Sequence, residues 1–316
     1  MNFLQRVSPE LLQGLTRLPP LRLPDDLETA RQWPIPATEK SEQVKTTERY
    51  ISGAGSNEML IKIYEPLHRD EKNLPALLWI HGGGYVLGHP QHDDNLCQSF
   101  VEEAGCVVVS PDYRLAPEHP YPAAIEDCYA ALVWMAGATE ELRIDLSRLA
   151  IGGASAGGGL AAALALMARD RGGPAICFQM PLYPMIDDRN ATPSSNEITN
   201  LKVWNSANNA AAWKMYLGEH ADGDIPSYAA ASRATNLAGL PPAYTCVGEL
   251  DPFRDETIEY VMRLAQTGVD VEFQLYPGGY HGFEHVVPTA EISRRARSGY
   301  LNALARAFNG SNGGEV

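Results

Sequence analysis

The stretch AIGGASAGGG at residues 150–159 places one serine among glycines, between an apolar run and a long alanine-rich run. Glycine and serine both disfavour the interior of a regular element, so we expect the chain to turn sharply here. LAIG (149–152) has the pattern of a buried strand, and the residues near 157–170 have that of a buried helix. The turn between the two elements therefore presents the hydroxyl of Ser155.

The residues GASAG at 153–157 match the G-x-S-x-G pattern of a nucleophile elbow. In such an elbow the serine backbone is strained, so the residues two positions away must be small to avoid a collision. The following helix directs its N-terminal N–H groups and its dipole at the reacting centre. The pattern alone is weak, and an ordinary glycine-rich turn is the alternative. The strand–turn–helix setting favours the elbow.

Outward from this turn, strand patterns alternate with helix patterns, which predicts an α/β fold with a mostly parallel central sheet and helices on both faces. Two alternating runs at 46–51 and 59–64 predict an antiparallel hairpin that opens one edge. The other predicted strands are residues 76–80, 107–110, 149–152, 175–180, 243–248 and 271–276. The predicted helices lie near 93–104, 122–136, 157–170, 255–267 and 290–308.

Two segments interrupt this alternation. Residues 1–45 are rich in proline and charge, and residues 187–226 have no clear strand pattern. We interpret 187–226 as a helical insertion after the sixth strand, and we assign 46–186 together with 227–316 to the sheet domain. The tail at 309–316 is expected to be frayed.

A second glycine-rich stretch, HGGG at 81–84, follows the predicted strand 76–80. Consecutive glycines allow backbone N–H groups to turn outward and converge, and the tetrahedral intermediate of ester hydrolysis needs such donors for its oxyanion. A flexible turn and a phosphate-binding loop are the alternatives. The phosphate loop is disfavoured because no GK[ST] follows and the chain is acidic.

A serine nucleophile needs a base, and the base needs an acid that orients it. Among eight histidines, His281 lies directly after a predicted strand, and His285 is its nearest competitor. For the acid, Asp251 lies in a loop after a strand, and Glu249 is the alternative. The resulting chain order of Ser155, Asp251 and His281 is that of the α/β-hydrolases.

The composition describes an ordinary globular chain of 316 residues, with 45% hydrophobic residues and a net charge of −14. This acidity disfavours nucleic-acid binding, and the N-terminus has no continuous apolar run of a secretory signal. The most apolar window, 150–168, is explained by the serine motif, so we expect no stable membrane insertion. No CxxC pair occurs, which predicts a cytoplasmic protein without a metal site and with reduced, mostly buried thiols at Cys97, Cys106, Cys128, Cys177 and Cys246.

Taken together, these motifs resemble the hormone-sensitive-lipase-like family of α/β-hydrolases, the bacterial family IV carboxylesterases. The resemblance implies an α/β-hydrolase fold with a helical cap built from 1–45 and 187–226. Ala154 stands where the family often has aspartate or threonine, which leaves the sub-family and the substrate preference open. The matching stretches, spread over about residues 75–305, are HGGGYVLG (81–88), PDYRLAPEHPYPAAIED (111–127), GGASAGGGLAA (152–162), DPFRDE (251–256) and YHGF (280–283).

On that resemblance, Ser155 is the nucleophile, His281 the general base and acid, and Asp251 its orienting carboxylate. His81 is expected to shape its loop rather than to bind a metal. The oxyanion would be bound by three backbone N–H groups, those of Gly83, Gly84 and Ala156. Seven apolar residues are candidates for an acyl or alcohol pocket, with core or cap packing as the alternative for each: Tyr85, Val86, Leu87, Trp204, Trp213, Met215 and Phe283.

The implied activity is a serine carboxylesterase that hydrolyses short- to medium-chain carboxylic esters through an acyl-enzyme, without a cofactor. An amidase, a deacetylase or a lactonase would use the same triad, and a lipase is disfavoured because no large apolar lid is evident. A non-catalytic small-molecule receptor is the alternative from another class, but similar receptors lose the histidine that this chain keeps. A homodimer is compatible with the sequence. Within 111–127, a pair between Arg114 and Glu118 is expected to brace a long loop.

Overall fold

The central element is one sheet of eight strands, numbered in chain order. The computed structural model describes residues 2–35 and 38–310. The strands are β1 (Val44–Ser52), β2 (Glu58–Pro66), β3 (Leu74–Ile80), β4 (Val107–Pro111), β5 (Ile144–Ala154), β6 (Phe178–Leu182), β7 (Ala243–Leu250) and β8 (Val271–Tyr280). Their order in the sheet is β1-β2-β4-β3-β5-β6-β7-β8. β2 pairs antiparallel with β1 and with β4, and every other pair is parallel.

Twelve α-helices occur among the described residues. They are α1 (Phe3–Arg6), α2 (Leu12–Arg17), α3 (Leu27–Arg31), α4 (Asp94–Ala104), α5 (Ala123–Gly137), α6 (Thr139–Leu142), α7 (Ala156–Arg171), α8 (Pro193–Glu197), α9 (Ser206–Leu217), α10 (Arg254–Gln266), α11 (Phe283–Val286) and α12 (Glu291–Gly310).

The predicted α/β architecture is confirmed, with the β1–β2 hairpin at one edge and crossover helices between parallel strands. Several strands are longer than predicted, and the largest difference is in β5, which begins at Ile144 and not at 149. Two further boundaries are explained by strand pairing. The strand predicted at 175–180 begins three residues later, at Phe178, because it pairs with β5 only from Ala150 onward. The strand predicted at 271–276 continues to Tyr280, since its pairing with β7 resumes after a bulge. The last helix includes 309–310, and the rest of the predicted frayed tail lies outside the described residues.

Each face of the sheet is covered by helices, and each cover has its own apolar core. One core contains side chains of α5, α7 and α10, together with Ala212, Trp213 and Tyr216 from α9. The other contains side chains of α4 and α12. α7 is buried along most of its length because its alanines and glycines allow close approach to the sheet.

The N-terminal segment is joined to the 187–226 segment by hydrogen bonds. The N–H of Leu23 donates to Oδ1 of Asn208 at 2.9 Å, and Nδ2 of Asn208 donates to the carbonyl of Leu21 at 3.1 Å. The N–H of Leu21 donates to the carbonyl of Leu201 at 3.0 Å. Two segments far apart in sequence are therefore in direct contact.

The five cysteines carry free thiols, four of them buried and Cys177 partly buried. Within the described residues, no helix combines the length and the apolar character needed to cross a membrane.

Candidate active site

Ser155 lies in the turn between the end of β5 and the start of α7. Its backbone has φ 59° and ψ −118°, a strained conformation for a residue with a side chain. Its N–H donates to the carbonyl of Leu182 at 3.0 Å, and its carbonyl accepts from the N–H of Met185 at 3.0 Å. A Cβ on Gly157 would collide with the carbonyl oxygen of Ile80, so the turn requires glycine there. The G-x-S-x-G stretch thus has the geometry of a nucleophile elbow.

His281 and Asp251 meet Ser155 from the ends of the two neighbouring strands β8 and β7. Nδ1 of His281 lies 2.7 Å from Oδ2 of Asp251, and Nε2 lies 2.9 Å from Oγ of Ser155. Asp251 is fully buried, and its Oδ1 accepts the N–H of Phe253 at 2.9 Å. With the Nδ1 proton directed at the carboxylate, Nε2 is left to accept the proton of the serine hydroxyl.

The alternatives considered from the sequence lie elsewhere. Nε2 of His285 is 3.1 Å from the hydroxyl of Tyr183, so this histidine faces a tyrosine rather than the serine. Oε2 of Glu249 accepts the N–H of Gly278 at 3.0 Å, and its Oε1 pairs with Arg6. Glu249 therefore supports the strand that leads to the histidine loop and does not contact the histidine.

The HGGG stretch forms a loop beside Ser155 directly after β3. Gly83 and Gly84 have φ values of 124° and 62°, which L-residues rarely adopt, so glycine is needed at both positions. A Cβ on Gly82 would lie 3.4 Å from the Cβ of Ser155, which shows how closely the loop passes the serine. In the described part of the chain, the N–H groups of Gly83, Gly84 and Ala156 donate to no protein acceptor. Three backbone donors in or beside the two glycine-rich turns are therefore available to an outside acceptor.

His81 is buried beneath this loop. Its ring stacks on Tyr113 at 4.2 Å between centroids, and its Nδ1 lies 2.8 Å from the carbonyl oxygen of Gly82. Burial lowers the pKa of His81 to about 3, so the imidazole is neutral. These contacts agree with the predicted role of shaping the loop.

The candidate pocket residues fall into two groups. Six of them lie in or against the core that contains α7: Tyr85, Val86 and Trp213 are buried, while Leu87, Trp204 and Met215 are partly buried. Phe283 lies apart, in the core on the other side, with its ring 5.7 Å from that of Tyr276. Six of the seven therefore belong to or pack against one core, Phe283 belongs to the other, and their role as a pocket stays a prediction.

Trp204 lies against the HGGG loop and near His281. A Cβ on Gly84 would collide with Cη2 of its indole, and the indole lies 6.5 Å from the ring of His281. Nε1 of Trp204 donates to Oδ1 of Asn209 at 3.3 Å, and Nδ2 of Asn209 donates to Oδ1 of Asn190 at 2.9 Å. The indole therefore covers the HGGG loop at Gly84, and the side-chain amides of Asn209 and Asn190 hold it there.

The predicted pair between Arg114 and Glu118 is wrong. Nε and Nη2 of Arg114 donate to the fully buried carboxylate of Asp127, at 2.8 and 2.9 Å. Glu118 instead accepts two hydrogen bonds from Arg31 of α3, at 2.7 and 2.9 Å. On a helix a spacing of four residues brings two side chains together, but residues 112–122 form a loop.

Sequence reasoning missed two buried carboxylates, those of Glu256 and Glu284. Oε1 of Glu256 accepts the N–H groups of Ile186 and Asp187 at 2.9 and 3.2 Å, and burial raises the pKa of Glu256 well above its usual range. Oε1 of Glu284 accepts the hydroxyl of Tyr183 at 2.5 Å. A first-turn glutamate is common on any helix, so nothing in the local sequence distinguishes these two.

The comparisons with known proteins agree with this geometry. A family model described as the alpha/beta hydrolase fold matches residues 77–285. The esterase LipI of Mycobacterium tuberculosis is 39% identical over 290 residues, which cover 90% of this chain and 91% of that protein. The carboxylesterase NlhH of the same organism is 35% identical over 270 residues, which cover 84% of each chain.

A solved structure of a bacterial heroin esterase has a TM-score of 0.90 and 40% identity, and the match covers 97% of this chain and 99% of that one. The fold, the family and the enzyme class predicted from the sequence, a carboxylic ester hydrolase, are thereby confirmed. The chain belongs to the hormone-sensitive-lipase-like carboxylesterase family of the α/β-hydrolases.

Proposed function

We propose that the protein hydrolyses short- to medium-chain carboxylic esters with Ser155 as nucleophile, His281 as general base and acid, and Asp251 as orienting carboxylate. The observation that carries the proposal is the continuous hydrogen-bonded chain from Asp251 through His281 to Ser155, with distances of 2.7 and 2.9 Å. Nucleophile, base and orienter within hydrogen-bond reach are the geometric mark of a serine hydrolase.

The reaction proceeds in two halves. Nε2 of His281 takes the proton of Ser155 while Oγ attacks the ester carbonyl carbon, and a tetrahedral oxyanion forms. When the intermediate collapses, the imidazolium gives its proton to the leaving alkoxide and an acyl-serine remains. Water then attacks the acyl group with the same base, and the carboxylic acid leaves as Oγ recovers its proton.

The oxyanion is held by the backbone N–H groups of Gly83, Gly84 and Ala156. Gly83 and Gly84 lie in the loop whose Gly82 passes close to Ser155. Ala156 follows the serine and begins α7, whose dipole favours negative charge at this end. Loss of one such donor typically costs about 10²–10³ in rate. No residue of this set needs a metal or a cofactor for the reaction.

The substrate pocket lies between the HGGG loop and a cap formed by residues 1–45 and 187–226. Leu87, Trp204 and Met215 supply its apolar wall, backed by the buried side chains of Tyr85, Val86 and Trp213. Because the indole of Trp204 covers part of the oxyanion loop, we infer that small acyl groups fit best. The relatives named as esterase, carboxylesterase and heroin esterase support an ester as the substrate.

Several predictions from the sequence stay predictions. They are the cytoplasmic location, the lack of a nucleic-acid partner, the homodimer and the choice of ester over amide or lactone. The hydrogen bond between His281 and Ser155 argues against a non-catalytic receptor, because a receptor has no need for a base on its serine.

The test compares turnover of p-nitrophenyl butyrate by the parent protein and by Ser155→Ala. We expect the variant to lose about 10⁴-fold or more in kcat, as triad deletions do. His281→Ala should lose as much. His285→Ala is the matched control, because this histidine faces Tyr183, and it should stay within a few-fold of the parent. A parent protein without activity, or a fully active Ser155→Ala, would contradict the proposal.

A further inference from the structure

Arg31, the last residue of α3, reaches from the N-terminal segment to the loop that follows HGGG. Its Nε donates to the carbonyl of Val86 at 3.0 Å, and its Nη2 donates to the carbonyl of Ala116 at 2.7 Å. The same guanidinium pairs with both carboxylate oxygens of Glu118, at 2.7 and 2.9 Å. The hydrogen bonds to Glu118 raise the pKa of Arg31, and the Arg31 side chain is only 23% exposed. One cation from the N-terminal segment thus binds two separate loops.

The Val86 carbonyl belongs to the turn that carries the proposed oxyanion donors. The N–H groups of Val86 and Leu87 both donate to the carbonyl of Gly83, at 3.2 and 2.8 Å. The peptide that Arg31 holds is therefore in the same closed turn as Gly83 and Gly84. A shift of Val86 would move the Gly83 carbonyl and, through it, the N–H of Gly84.

The remaining hydrogen bonds of this turn come from elements other than the N-terminal segment. The carbonyl of Tyr85 accepts the N–H of Ala116 at 3.0 Å. The hydroxyl of Tyr85 donates to the carbonyl of Met185 at 2.6 Å. These bonds tie Tyr85 to the 111–122 loop and to the chain beyond β6. Arg31 joins the carbonyl of Val86 to that of Ala116, so it closes the turn on the side of the N-terminal segment.

We propose that Arg31 is a positioning residue for the oxyanion loop, and that the docked α3 is needed for full stabilisation of the tetrahedral intermediate. The inference rests on the proposed function. It differs from a general packing role in what it predicts: loss of Arg31 weakens binding of the oxyanion and leaves binding of the ground-state ester unchanged. Arginine suits this position because its planar fork serves several acceptors at once, whereas lysine offers a point charge.

The experiment measures p-nitrophenyl acetate turnover and inhibition by a trifluoromethyl ketone, which forms a tetrahedral oxyanion on the serine. The variants are Arg31→Ala, Arg31→Lys and Glu118→Gln. Arg17→Ala is the matched control, because Arg17 lies in the same segment and is exposed. We expect Arg31→Ala to lower kcat about tenfold or more, to leave KM within about twofold, and to weaken the ketone by the same factor as kcat/KM.

The companion variants separate loop positioning from the ion pair. Arg31→Lys keeps a charge near Glu118 but loses the fork, so its kcat and ketone affinity should fall between those of the parent and of Arg31→Ala. Glu118→Gln leaves both carbonyl contacts intact and should stay near the parent. If Arg31→Ala fails to fold, kcat and ketone affinity of Arg31→Lys alone test the positioning role of Arg31.

Two results would overturn the inference. One is an Arg31 variant with a raised KM and an unchanged affinity for the ketone. That result would mean that Arg31 only holds the N-terminal segment in place. The other is a set of Arg31 variants that match the parent in both readouts. If the parent itself neither hydrolyses the ester nor binds the ketone, the proposed function fails, which is a separate and recognisable outcome.

Discussion

The elbow around Ser155 and the segment around Trp204 face each other, yet they are held in different ways. The elbow is defined by backbone contacts, such as the close approach of Gly157 to Ile80, and by the bonds of Ser155 to Leu182 and Met185. Trp204 is held by the side-chain amide of Asn209.

This difference suggests that the elbow governs the reaction itself and that the Trp204 segment governs which ester is preferred. Backbone contacts tolerate few substitutions, because an added Cβ meets main-chain atoms that cannot move. Side-chain contacts tolerate exchange, since a neighbouring side chain adjusts or is replaced. We therefore expect changes at the elbow to abolish the reaction and changes at Trp204 to alter which ester is preferred.

Gly157→Ala gives the largest expected effect. Its Cβ would collide with the carbonyl oxygens of Ile80 and His81, so the turn must shift. We expect a loss of about 100-fold or more in kcat/KM, together with a loss of stability of about 1–3 kcal/mol, as overpacking causes. The measurements are p-nitrophenyl butyrate turnover and thermal unfolding.

Gly137→Ala is the matched control for this change. No atom lies within 4 Å of a Cβ placed on Gly137, at the end of α5. It should leave turnover unchanged. Equal behaviour of the two alanine variants would remove the distinction between a backbone-defined elbow and an ordinary turn.

Trp204→Ala gives the intermediate effect. Removal of the indole opens the space above Gly84, so the ratio of kcat/KM for p-nitrophenyl decanoate to that for the acetate should rise about tenfold, equivalent to about 1.4 kcal/mol. The control is Trp134→Ala, because Trp134 lies on α5 and packs under Arg49. An unchanged ratio of kcat/KM for the two esters would show that Trp204 has only a packing role.

Glu118→Gln gives the smallest effect. The two hydrogen bonds from Arg31 lower the pKa of Glu118 from 4.5 to about 2. Since the folded-state pKa is depressed, the stabilisation is fully present above pH about 4.5 and is lost as pH falls toward about 2. The side chain is 52% exposed, so solvent screening limits the contribution to about 1 kcal/mol or less.

The measurement for Glu118→Gln is the difference in Tm between parent and variant at pH 7 and at pH 3. The variant should be slightly less stable at pH 7, and the gap should shrink at pH 3. A gap that is constant with pH would mean that the ion pair contributes nothing and that only the shape of the side chain matters.

The predictions from sequence succeeded where one element or one strand end decides the outcome. The parallel sheet, the hairpin and the positions of Ser155, Asp251 and His281 after their strands all follow from local patterns. The Arg114–Glu118 pair failed because the true partners, Asp127 and Arg31, lie 13 and 87 residues away from Arg114 and Glu118. The late start of β6 was likewise decided by its pairing with β5.

The sequence by itself determined the elbow and the glycine loop, because each depends on steric rules that act within a few residues. It also indicated Ser155, Asp251 and His281, because each follows a recognisable strand pattern. Only the tertiary structure decided which side chains meet across the site. It set Nε2 of His281 against Ser155, placed Phe283 in the second core, laid Trp204 over Gly84 and joined Arg31 to Val86. Such contacts depend on how segments far apart in the sequence pack together, and no local sequence pattern specifies that packing.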